Sequence, residues 1–103
     1  MPIFIRVEFS TGPSLRSSRV VLLIEFPDEA LERIKKEKAS LEVEAYHIAL
    51  HAIGELEPGM LRGSIHLISS TLSKMKNPAE LGQASHVTED GCSVWLVRRP
   101  SRH

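Results

Sequence analysis

Apolar and polar positions alternate strictly at the start of the chain. Ile3, Ile5, Val7 and Phe9 fall on one face, with Arg6 and Glu8 on the other. That period of two predicts a half-buried strand over residues 2–9. Residues 10–18, STGPSLRSS, carry Gly12-Pro13 and four serines and read as loop. Residues 19–26 then form a second strand, apolar on both faces through Val20–Ile24, which suits a central strand or one covered on both sides. The simplest pairing joins the two as a hairpin with a long loop.

From Pro27 the periodicity changes. Pro27 removes an amide donor and ends the strand, and Asp28 is placed to cap a helix whose apolar stripe, Ala30, Leu31 and Ile34, is narrow. Glu29 and Glu32 sit near the positive end of its dipole, while Lys35, Lys36, Glu37 and Lys38 read as solvated. Ser40 caps a second helix with a far wider apolar face. Leu41, Ala45, Tyr46, Ile48, Ala49, Leu50, Ala52, Ile53 and Leu56 occupy over half of its circumference. Glu44, His47, His51 and Glu55 share the remaining strip. Such a helix needs cover on more than one side, which makes Tyr46, Ala49, Leu50 and Ile53 candidates for a dimer or partner interface.

After Glu57-Pro58-Gly59, the spacing of Leu61, Ile65, Ile68, Leu72 and Met75 predicts a helix to about residue 76, with a strand over 64–69 as the competing reading. Asn77-Pro78-Ala79-Glu80 has the pattern of one short helical turn. Residues 86–88 and 92–98 flank Glu89-Asp90-Gly91, a hairpin signal in which Asp-Gly favours a two-residue turn. The sequence therefore predicts an α+β domain over residues 1–97. It has a small antiparallel sheet, made of an N-terminal and a C-terminal hairpin, packed against two to three helices. Residues 98–103 form a basic, flexible tail.

The 13 basic and 13 acidic residues cancel, so no global field steers the chain toward nucleic acid or an anionic membrane. A single cysteine, Cys92, rules out an internal disulfide and suits a reducing compartment. No secretory segment or membrane-length apolar run is present, so the expectation is a cytoplasmic protein without a membrane partner. A domain of this size has a high surface-to-volume ratio, which favours assembly into a homodimer.

The order of elements in residues 20–56, with EFPDEALERIKK followed by SLEVEAYHIAL, resembles the ribbon-helix-helix superfamily. The resemblance implies an obligate dimer whose paired strands enter the DNA major groove, as in small repressors and antitoxins. It also implies that Ser40 and Leu41, at the start of the second helix, meet a DNA phosphate through backbone amides. Val21, Leu23 and Glu25 stand where that family carries polar or basic residues that read base edges. The alternative in the same class is a protein-binding immunity or accessory module without DNA binding.

Signals for chemistry are sparse. His47 and His51, one helical turn apart, have the spacing to chelate Zn²⁺, but no HExxH or cysteine pair supplies a third ligand, so neither a metal nor another cofactor is expected. Met1-Pro2 followed by an apolar strand is similar to the start of tautomerase-superfamily chains. By that resemblance Pro2 is a candidate general base once Met1 is removed. The strand–helix–strand order of that family is not kept here. Cys92 and His86 fall on opposite faces if the Asp90-Gly91 turn pairs His86 with Trp95, about 10 Å apart along the strand, so Cys92 reads as a half-buried structural thiol. The reading that unites these signals is a small, non-enzymatic regulatory protein acting through binding.

Overall fold

A strand apolar on both faces has to lie inside a sheet, and that is where residues 20–24 fall. In the computed structural model, which describes residues 1–11, 18–59, 65–74 and 78–98, β2 (Ser18–Phe26) is central. Strand β1 (Ile3–Thr11) pairs antiparallel on one side of it and β5 (Ser93–Arg98) on the other. Two edge strands complete an antiparallel, five-stranded sheet: β3 (Ile65–Leu72) beside β1, and β4 (His86–Val87) beside β5. The β1–β2 hairpin is the one expected, and its loop lies outside the described residues. So does the basic tail beyond Arg98.

Helices α1 (Asp28–Lys36) and α2 (Leu41–Leu56) cover one face of the sheet. Ile5, Val7, Phe9, Val20, Leu22, Ile24, Phe26 and Val94 project to that side and close the main core with Ala30, Ile34, Ala45, Ala49, Ala52 and Ile53. Small residues at 45, 49 and 52 recur at helical spacing, so α2 approaches the strands closely along that stripe. The opposite face is covered as well. Phe4, Leu23 and Trp95 form a second cluster under Leu81 and Ala84, carried there by a 3-10 turn at Pro78–Leu81 and the segment after it. The Trp95 indole N–H donates to the Gly82 carbonyl at 3.1 Å, which fixes this cover on the sheet. Beside it Glu8, nearly buried, pairs with Arg6 at 2.9 Å and with Arg19.

Three expectations are corrected. The predicted helix ending near residue 76 is instead strand β3 over its described part. Ile65, Ile68 and Thr71 are β-branched, and β1 has a free edge to satisfy, so pairing outweighs the helical spacing. A bulge at Ile68 shifts the register between Glu8 and Phe9. Asp28 is not the N-cap. Pro27 occupies that position, and the Asp28 carboxylate instead meets the Met1 ammonium at 2.8 Å. The C-terminal hairpin turns through three residues rather than two. Thr88 N–H donates to the Cys92 carbonyl at 2.9 Å and Gly91 takes φ +86°, so His86 pairs with Val94 rather than Trp95.

Two measurements test this account. Helix α1 ends with Lys38 at φ 55°, its N–H on the Lys35 carbonyl and the Ala39 N–H on that of Ile34. This left-handed cap favours glycine, so Lys38→Gly should raise stability by roughly 0.5–1 kcal/mol in chemical denaturation. The hydrogen bond from Arg19, with Arg6 alongside, holds the Glu8 carboxyl below its ordinary range despite burial. A lowered native pKa stabilises the fold above the unfolded pKa and loses that contribution as pH falls through the native one. Glu8→Gln should therefore cost about 1–3 kcal/mol at neutral pH, with a difference from wild type that shrinks below about pH 4.

Candidate interaction surface

The two ends of the sheet differ. Strand β4 is two residues long, whereas β3 runs for eight and, among the described residues, no strand pairs with its outer edge. Its sequence, IHLISSTL, contains no Asp, Glu, Lys or Arg. Exposed edges of that length usually carry a charge or a proline that discourages pairing, and β3 has only its bulge. Leu67, Ile68 and Leu72 are 44%, 43% and 68% exposed.

Helix α2 extends this apolar strip on the covered face. It lies over β1 and β3, and the Ser70 hydroxyl donates to the Glu42 carbonyl at 2.9 Å, tying β3 to the start of the helix. Val43, one residue on, is 53% exposed. Tyr46 packs its ring 5.9 Å from Phe9, and Phe9 stands opposite Leu67 in the sheet. Leu50 is half-buried one turn further along. Backbone hydrogen-bonding groups at the edge and apolar side chains on its flank thus lie side by side. The sequence signal was there to find: residues 65–72 lack charge.

Of the four residues expected at an interface, Tyr46 and Leu50 reach this surface. Ala49 and Ile53 do not; both are buried against the chain's own sheet. Ser40 is the N-cap of α2, its hydroxyl accepting from the Val43 N–H at 3.4 Å and donating to Glu42 at 3.2 Å. With Leu41 it opens the helix, but the Glu42 carboxylate stands at that same end, where it repels a phosphate. In the chain as folded here, both edges of β2 are taken by β1 and β5, so that strand has no free edge for a two-fold ribbon. Val21 and Leu23 are buried on the second face rather than presented outward.

The remaining candidates are scattered. His47 stacks on Tyr46 at 5.3 Å, and His51 lies 3.9 Å from Glu55 with its ring 5.8 Å from that of His86. Among the described residues, no group of three His, Cys, Asp or Glu has metal-binding geometry. Pro2 is exposed, and the Met1 ammonium beside it is ion-paired to Asp28 at 2.8 Å. The corrected hairpin register puts His86 on the same face as Cys92, about 7 Å along the strand, and its ring is turned to His51.

Cys92 is fully buried, not half-buried, and burial pushes its thiol pKa up, away from the thiolate a nucleophile needs. Arg33 has three carboxylate partners. Burial works against its charge, but Asp90 at 2.7 Å, Glu37 at 2.9 Å and Glu44 at 3.9 Å raise its pKa above the ordinary value. It joins α1 to α2 and to the β4–β5 turn. The shallow cleft beside it, about 260 Å³, is lined by Glu29, Glu89 and Asp90 and so repels anions.

Cys92 gives a direct check on this arrangement. A thiol reagent such as dithionitrobenzoate should leave the native protein unmodified over hours and label it stoichiometrically in denaturant. Rapid native labelling would mean that the C-terminal hairpin does not seal the core.

Comparison with protein-family models, with curated proteins and with solved structures gave no match.

Proposed function

We propose that this chain is a non-enzymatic protein-binding module that captures an extended strand along the outer edge of β3. The observation that carries the reading is that edge: eight residues, uncharged, unpaired among the described residues, and flanked by exposed Leu67, Leu72 and Val43. In strand addition the backbone ladder provides affinity, and the side chains beside it select among partners. Val43, Tyr46 and Leu50 supply the flank against which alternate side chains of the added strand would rest. The groups that could have carried chemistry are scattered, whereas the β3 edge presents a run of eight residues that no strand pairs with among the described residues.

Selection from a random peptide display library tests the proposal. The full chain should enrich extended peptides with alternating apolar residues. Leu67→Lys and Leu72→Lys, each at an exposed position and checked for unchanged circular dichroism, should weaken the selected peptides by about tenfold or more. Peptides whose binding ignores both substitutions, or a β3 edge that no strand, peptide or protein, occupies, would overturn the reading.

A further inference from the structure

We infer that the strand added to β3 is the β3 of a second copy, paired antiparallel about a two-fold axis between Ile68 and Ser69. The inference rests on the reading of β3 as a binding edge and goes further by naming its occupant. The observation behind it is how the bulge divides the strand between the two faces of the sheet. Residues opposite one another in an antiparallel pair share a face. Leu72, Ser70, Leu67 and Ile65 stand opposite Ile5, Val7, Phe9 and Thr11, so they lie on the helix-covered face. Thr71, Ser69 and His66 stand opposite Arg6, Glu8 and Ser10, on the other.

A two-fold about the strand centre sets Ile65 against Leu72 of the second copy, His66 against Thr71, and Leu67 against Ser70. Every one of these pairs shares a face. In an unbroken strand none would, because residues 65 and 72 differ by an odd number and point to opposite sides. The extra residue at Ile68 restores the match. A regular strand has to leave Ile68 unpaired, as β1 does. A second copy carries the same irregularity at the same place, so residues 65–67 of each strand meet residues 70–72 of the other on matching faces.

Charge and spacing agree with this occupant. No charged side chain lies in β3, and the 13 basic and 13 acidic residues leave copies with no net repulsion. Because α2 lies over β1 and β3, the two α2 helices would flank the axis on one face, roughly 10–14 Å apart for strands about 4.8 Å apart. That is near the 8–10 Å of packed helices, and the side chains placed between them are Val43, Tyr46 and Leu50. The apolar flank that is open in one copy is closed by its mate, and the two sheets become one.

Light scattering on the full chain at micromolar concentration tests the pairing. The wild type should be a dimer, and Leu67→Lys or Leu72→Lys should raise its dissociation constant by about tenfold or more with an unchanged circular dichroism spectrum. A monomeric wild type, or a dimer indifferent to both substitutions, overturns the inference; if that protein still selects peptides at β3, the binding-edge reading stands without it. The register has its own test. Opposed cross-strand Cα atoms lie within disulfide range, so the double variant His66→Cys/Thr71→Cys should oxidise to a covalent dimer while either single variant does not. Buried Cys92 adds no background thiol. Crosslinking of a single variant, or none in the double, overturns this register.

Discussion

Burial of β2 on both faces is the constraint that the rest of the structure answers. Val20, Leu22, Ile24 and Phe26 lie against the helices, while Val21 and Leu23 lie on the opposite side. Removing each such side chain from water contributes about 1.5–3 kcal/mol, against roughly 1 kcal/mol for a typical helix cap. The strand therefore needs a neighbour on each edge and a cover on each face. β1 and β5 meet the first need, the helix pair meets half of the second, and residues 78–85 return across the sheet to meet the other half. Both sheet ends are then fixed by elimination: β3 closes on β1, and the short β4 closes on β5.

What could be read from the sequence was whatever is decided locally. The alternation of Ile3, Ile5, Val7 and Phe9, the unbroken apolar run of Val20–Ile24 and the cap at Ser40 each determine an element without help from distant residues. β3 was decided elsewhere. Its four-and-three spacing suggested a helix, and only the open edge of β1 makes it a strand. The hairpin turn is similar. Asp-Gly permits a two-residue loop, but Asp90 is held at 2.7 Å by Arg33 of α1, and the loop settles at three residues with Gly91 in the left-handed region. That single-residue slip carried His86 to the face of Cys92 and against His51.

The interface was half legible for the same reason. A helical wheel shows that α2 is apolar over most of its circumference, but not which stripe the sheet will take. The alanines at 45, 49 and 52 held part of that information: small side chains mark where helix and strand come closest, and Ala49 belongs to that stripe while Ile53 lies beside it. Tyr46 and Leu50, on its flank, stay near the surface.

The bulge at Ile68 joins fold to proposed function. At an exposed edge a bulge ordinarily obstructs pairing, because a regular strand must lose a hydrogen-bonded residue to follow it. β1 accepts that loss because it is anchored on its other side by β2 and from above by α2. A regular strand arriving from solution bears that loss at one residue and pairs on either side of it. A second β3 does not suffer it, since both strands bend at the same point. In the proposed pairing, the irregularity that costs another strand one residue is matched by the second copy. Specificity at this surface then needs no charged residue, which agrees with the absence of one in β3.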